Sequence, residues 1–220
     1  IDSLTRAVLT NAIYFNASWR SPFEESNTSD GKFTLLDGRE IDVRMMTQTE
    51  KFRYAEGSNY KAVELPYSGK NNMSMLIILP TGDRFKEFES SLGTGLLEDI
   101  VKKLEVRSVS LKMPKFEYKA GLNLTKTLSE MGMPAAFGPD ANFSGMTEDR
   151  SLAITDVLHK AFVSVDEEGT EAAAATAVIV GETAVIERAE MNVDSPFIFM
   201  IRDNDTGTVL FLGRVLDPNA

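Results

Sequence analysis

Residues 165–176 read Val-Asp-Glu-Glu-Gly-Thr-Glu-Ala-Ala-Ala-Ala-Thr, and the rest of the chain is organised around them. The stretch leaves a strand-like run, Ala161-Phe162-Val163-Ser164-Val165, passes one glycine, and crosses four alanines to a threonine. Alanine favours helix, yet no amphipathic spacing is present, and Val178-Ile179-Val180 beyond it is β-branched throughout. A small-residue segment between two strand-like runs is either an alanine-rich linker or a hinge that can leave one environment and enter another. The remainder of the chain chooses between them.

The chain has 220 residues, 43% hydrophobic and 25% charged, which is ordinary globular composition. It contains no cysteine, so disulfides, thiolate metal sites and cysteine nucleophiles are excluded, and composition leaves the compartment open. A net charge of -10 without a long Lys/Arg cluster argues against nucleic acid as a partner. No apolar run approaches the roughly 18 residues of a membrane-spanning helix. The start, Ile1-Asp2-Ser3, has no initiator methionine or signal-peptide pattern and enters the apolar Ala7-Val8-Leu9-Thr10 within a few residues. A piece of a longer chain, or a processed product, is the expectation.

Periodicity predicts an α+β chain rich in strands. Residues 5–15 read as a buried strand interrupted by Asn11, whose buried amide would need partners. Asp37-Gly38 between Phe33–Leu36 and Ile41–Met45 predicts a two-residue type I′ hairpin. Lys51–Tyr54, Ala62–Leu65 and Met73–Leu79 are further strands. Two short helices follow, Phe85–Leu92 and Leu96–Leu104, and then period-two spacing over Val106–Tyr118 broken by Pro114. Leu122–Met131 reads as a helix ended by Gly132, residues 140–146 as a loop, and Ile154–Val165 as a long strand. Phe197–Ile201 and Val209–Val215 form a second apolar hairpin. Ala177–Asn192 reads as a long segment without a packing partner, and such segments are usually functional.

The sequence carries no recognisable catalytic motif. No G-x-S-x-G, Walker loop or dinucleotide fingerprint occurs. His159 is the only histidine; inside an apolar strand its structural role outweighs a place in a triad, and one histidine without cysteine makes no zinc site. The carboxylate pairs Glu24-Glu25 and Glu167-Glu168 flank loops and read as solvated faces rather than glycosidase acids. Six N-x-S/T sequons occur, at Asn16, Asn27, Asn72, Asn123, Asn142 and Asn204. We expect a protein that is not an enzyme and uses no cofactor or metal.

Several motifs occur together in a diagnostic order. These are Asn11-Ala12-Ile13-Tyr14-Phe15 through Trp19 and Pro22-Phe23; Leu65-Pro66-Tyr67; Met75–Pro80; Met113-Pro114-Lys115-Phe116; Phe143-Ser144-Gly145-Met146; His159-Lys160-Ala161; Asp166–Thr176; and Asp194-Ser195-Pro196-Phe197 with Phe211–Val215 through Asp217-Pro218. In this the chain resembles the serpins, the serine-protease-inhibitor family, over nearly its whole length, and looks like the carboxy-terminal part of one. The resemblance implies a partial serpin fold: mainly antiparallel sheets, a few short helices and a mobile reactive-centre loop. Residues 1–220 would be the carboxy-terminal part of a single domain whose amino-terminal helical segment is absent, with hinge and reactive-centre loop at 167–192.

The resemblance also implies a mechanism. A protease nucleophile attacks one loop bond, and the freed loop inserts into the central sheet as a new strand before the acyl-enzyme is hydrolysed. Dragging the protease along deforms its oxyanion hole and stalls deacylation. The hinge residues would be Glu167, Glu168, Gly169, Thr170, Glu171, Ala172, Ala173, Ala174, Ala175 and Thr176. Strand alternation then puts Thr170, Ala172, Ala174, Thr176, Val178 and Val180 on one face, all uncharged, and turns Glu171 outward. Inserting about fourteen residues at about 3.3 Å each would carry the cut end about 45 Å. By family spacing the reactive bond joins Thr183 to Ala184. A small β-branched residue there suits an elastase-like or subtilisin-like serine protease, whereas Arg188 lies too far along for a trypsin-like one.

Asn11 and His159 look like the polar pair where the central strands part. Lys115 and Glu167 look like the ion pair at the top of the sheet, beside Trp19. Family likeness implies an extracellular setting and an amino-terminal segment as partner, while net charge and the lack of a long apolar run argue against nucleic-acid and membrane partners. A non-inhibitory serpin, acting as a binding or structural protein, is the alternative, although such members tend to lose the small-residue hinge that this chain keeps.

Overall fold

The computed structural model describes residues 7–82, 84–146, 152–170 and 187–220. In chain order the strands are β1 Ala7–Tyr14, β2 Ala17–Ser18, β3 Ser29–Thr34, β4 Glu40–Glu56, β5 Tyr60–Pro66, β6 Met73–Pro80 and β7 Glu105–Pro114. They continue as β8 Phe116–Asn123, β9 Ile154–Val165, β10 Gly169–Thr170, β11 Arg188–Asn192, β12 Phe197–Asp203 and β13 Val209–Val215. The α-helices are α1 Phe85–Ser91, α2 Thr94–Lys102 and α3 Thr125–Glu130. The chain divides into two compact units, residues 1–15 with 119–163, and residues 16–118 with 164–220.

The larger unit is built on an eight-stranded sheet in the order β11-β7-β4-β5-β6-β12-β13, with β3 also pairing β4. Central strands β5, β6 and β12 are almost continuously buried, as expected for strands covered on both faces. On one face α1 and α2 pack Phe85, Phe88 and Ile100, joined by Leu104 just beyond α2, onto Ala62, Leu76, Ile78, Ile198 and Met200. On the other, Phe116 meets Phe197 and Phe199 at ring distances of 5.4 and 5.6 Å, and Tyr118 meets Phe199 edge-on at 5.1 Å.

The smaller unit carries the sheet β1-β9-β8. Here β1 and β9 are direct parallel neighbours, in register from Val8↔Asp156 to Tyr14↔Phe162. Tyr14 stacks on Phe162 with the rings 4° from parallel, and the Lys119 ammonium lies 5.6 Å from the same ring.

Several expectations are corrected. Residues 7–14 form a strand, but not a buried one: Leu9 is 46% and Tyr14 52% exposed, and Asn11 is exposed. An apolar pattern marks a strand without saying what covers it, and the described elements leave this strand uncovered. The first hairpin closes through a three-residue loop, with Gly38 N–H donating to the Leu35 carbonyl and Gly38 at φ +82°; the glycine supplies the left-handed residue that ends such a loop. Segments 41–45 and 51–54 are one strand, because the polar residues between them keep their ladder to β7, Met45↔Pro114 through Tyr54↔Glu105. Helix α3 begins at Thr125, since residues to Asn123 stay in β8 and the Asn123 carboxamide oxygen accepts the Thr125 N–H.

Residues 188–192 do have a packing partner. They are β11, parallel to Ser108–Lys112 of β7, with Met191 buried.

Candidate functional site

At the end of β9 the chain reverses within four residues. Asp166 organises the reversal: its carboxylate accepts the N–H of Glu168 at 3.0 Å and of Gly169 at 3.1 Å, and its own N–H donates to the Gly169 carbonyl at 3.0 Å. This is the local turn chemistry aspartate favours. Gly169 and Thr170 then pair antiparallel with Ser18 and Ala17. Gly169 is needed there because a Cβ would stand 2.3 Å from the Ala17 carbonyl oxygen and 2.7 Å from Ser18 Cα.

The segment around Trp19 is thereby held on both sides. Its N–H donates to the Glu168 carbonyl at 2.9 Å, while Arg20 N–H donates to Pro66 O and Ser68 N–H to Ser18 O. The Trp19 indole N–H donates to Asp166 O at 3.0 Å, and its ring stacks on Tyr67 at 4.6 Å. The Tyr67 hydroxyl shares a 2.8 Å hydrogen bond with Thr170 Oγ1, and both residues are fully buried.

Glu167 is also buried, not solvated. Its carboxylate pairs with Lys115 Nζ, accepts the Thr28 hydroxyl at 2.7 Å, and its side chain is 6% exposed. Its backbone carbonyl accepts the Phe23 N–H. Burial pushes this carboxyl up, but the bonds from Lys115 and Thr28 and the Lys115 charge outweigh it and hold the group below its ordinary value. Burial pushes the Tyr67 phenol up, so it stays neutral.

Of the sequence-derived residues, Trp19, Lys115, Glu167, Glu168, Gly169 and Thr170 come together here. Within the smaller unit, Asn11 and His159 are register partners across β1 and β9; no hydrogen bond joins their side chains among the described residues. Glu171, Ala172, Ala173, Ala174, Ala175 and Thr176, and the reactive-bond pair Thr183 and Ala184, lie outside the described residues. Sequence reasoning missed Tyr67 and Thr28. Tyr67 stood in the Leu65-Pro66-Tyr67 motif, and nothing in that motif assigned its hydroxyl; Thr28 carried no signal. Among the described residues no cluster of three His, Asp or Glu is arranged to hold a metal.

A model of the family Serpin (serine protease inhibitor) matches residues 1–218. The chain belongs to the serpin family. It is 45% identical over 222 residues to an uncharacterized serpin-like protein of Thermococcus kodakarensis, covering 99% of this chain and 51% of that one. It is 40% identical over 229 residues to leukocyte elastase inhibitor of Sus scrofa, covering 99% and 60%. Among solved structures, human thyroxine-binding globulin superposes with a TM-score of 0.86 at 32% identity, covering 99% of this serpin and 58% of the globulin chain. This serpin thus spans about half to three-fifths of the length of the curated relatives it matches. Serpins are generally protease inhibitors rather than enzymes, and the α+β partial fold agrees with that membership.

Proposed function

We propose that this chain carries the inhibitory machinery of a serine-protease inhibitor that acts as a suicide substrate. The observation that carries the reading is topological. Two parallel strands, β1 and β9, are direct neighbours, and the segment leaving β9 has already reversed and begun an antiparallel pairing with the residues that follow β1. A strand that extended the Thr170↔Ala17 pairing back along the chain towards Asn11 would run opposite in sense to β1 and therefore to its parallel neighbour β9, and we read insertion between the two from that sense.

Register supports it further. If the pairing Gly169↔Ser18 and Thr170↔Ala17 continues, Ala172 falls opposite Phe15, Ala174 opposite Ile13, and Thr176 opposite Asn11. Since Asn11 faces His159 in the closed pair, Thr176 enters between those two polar residues. The positions on its face are threonine and alanine, so no unpaired charge is buried in the first half of insertion. The inserted strand gains a ladder on both sides, and the acyl-enzyme is displaced before water hydrolyses it.

The target is a serine protease with a preference for a small residue, elastase-like or subtilisin-like, cut between Thr183 and Ala184. The name of the porcine relative agrees with the elastase side. The likeness to thyroxine-binding globulin raises a second reading, a serpin that binds without inhibiting. Incubating the intact protein with both protease types separates them. An SDS-stable complex with a cut at Thr183–Ala184 supports inhibition, and turnover to cleaved product without complex supports the second.

A further inference from the structure

We propose that Tyr67 is a positioning residue for loop insertion, a latch whose hydroxyl keeps Thr170 seated against Ala17, on the segment that follows β1, so that insertion starts from a residue already in place. This rests on the inhibitory reading above.

The geometry closes a ring. Tyr67 holds the Thr170 hydroxyl at 2.8 Å, stacks on Trp19 at 4.6 Å, and is bridged to it through the backbone. Trp19 returns to the hinge through its indole N–H on Asp166 O and its backbone N–H on Glu168 O. Each side chain in the ring is therefore fixed by the next, and the ring ends on the residue from which the loop departs. Thr170 is fully buried and paired with Ala17 while β1 and β9 are still joined. Its hydroxyl has left water, so the Tyr67 bond is what makes that burial tolerable. The latch is also independent of the Glu167–Lys115 pair: a neutral phenol and a threonine hydroxyl do not change charge across the neutral range, whereas a carboxylate pair weakens in acid.

The mechanistic consequence is a partition. Protease attack occurs at the reactive bond and does not use Tyr67. Insertion does, because a hinge that has come off the sheet must be reseated before the strand can form. Each reseating event gives hydrolysis of the acyl-enzyme more time.

The test uses the intact protein with Tyr67→Phe, Thr170→Val and the double variant. Tyr67→Phe keeps the ring on Trp19, and Thr170→Val breaks the same bond from the other side should the first variant fold poorly. Two quantities are read. Amide hydrogen exchange over residues 168–170 is expected to speed up at least tenfold in either single variant. The number of inhibitor molecules consumed per protease inactivated is expected to rise severalfold, with the second-order rate of loop cleavage within about twofold of wild type. The double variant should be no worse than the worse single one, because both remove one bond. Unchanged exchange in both single variants, or a double variant whose effects multiply, overturns the latch. If the wild type is cleaved without forming any complex, the inhibitory reading falls and insertion positioning falls with it. Exchange then reports whether the Tyr67 bond anchors Thr170.

Discussion

Glu167 and Lys115 form a buried-to-surface ion pair: the carboxylate is 6% exposed, the ammonium 40%. The pair joins the second residue after β9 to the residue between β7 and β8, and so anchors the start of the hinge within the larger unit. Reversing the charge with Glu167→Lys sets two cations against each other and leaves the Thr28 hydroxyl without its carboxylate. We expect a loss of about 2 kcal/mol, less than for a fully buried pair because Lys115 is partly solvated. Polymer should appear on mild heating; equal monomer recovery from mutant and wild type by size exclusion would count against the role.

Glu167 also predicts an acid response. Its folded pKa lies below the ordinary 4.5, so the folded state prefers the carboxylate. Its stabilising contribution is complete above about 4.5 and is lost as pH falls through the lowered folded value. Wild type should therefore lose more thermal stability between pH 5 and 3 than Glu167→Gln does, with Trp19, the only tryptophan, as the fluorescent reporter beside the hinge. Parallel pH profiles for the two proteins would show that the carboxylate is uninvolved.

Gly169→Ala isolates the close approach at the turn. Its new methyl would meet backbone atoms at 2.3 and 2.7 Å, and backbone cannot yield as a side-chain tip can. A destabilisation of about 2 kcal/mol or more is expected, together with loss of the Gly169–Ser18 pairing. A melting temperature within 1–2 °C of wild type, by the usual ~4 °C per kcal/mol or less at this size, would contradict it.

Register gives a sharper prediction. Because the chain has no cysteine, an Asn11→Cys/Thr176→Cys pair reports one distance without background. Directly opposed residues in an antiparallel pair lie about 4.5–5.5 Å apart at Cα, within disulfide reach. The disulfide should form after loop cleavage and not before. Formation instead with Cys at 175 or 177 would mean that the pairing seen at Thr170 shifts as the strand extends.

The legible part of this fold was the part written in side-chain period. Residues 75–79 and 197–201 announced their strands through unbroken apolar runs, and residues 154–165 through β-branched and apolar residues interleaved with polar ones. The polar middle of β4 did not, because a ladder is made by backbone groups that residue type barely reports. Residues 188–192 read as loop for the same reason: β11 is an edge strand paired to β7 with one deeply buried side chain, Met191. Asn11 was misplaced in the core because apolar neighbours indicate a strand without saying what covers it. In the hinge, small residues and the glycine were readable from sequence. The burial of Glu167 and the Tyr67–Thr170 bond were not, since each depends on residues more than a hundred positions away, Thr28 and Tyr67.

In the proposed mechanism the loop following Thr170 traps a protease by entering between β1 and β9. The most direct measurement is incubation of the intact protein with an elastase-like and a subtilisin-like serine protease, read by denaturing gel and mass spectrometry. The expected result is a complex that survives SDS, an inactive protease, and a released fragment beginning at Ala184. Complete cleavage of the loop with the protease still fully active and no stable complex would contradict it.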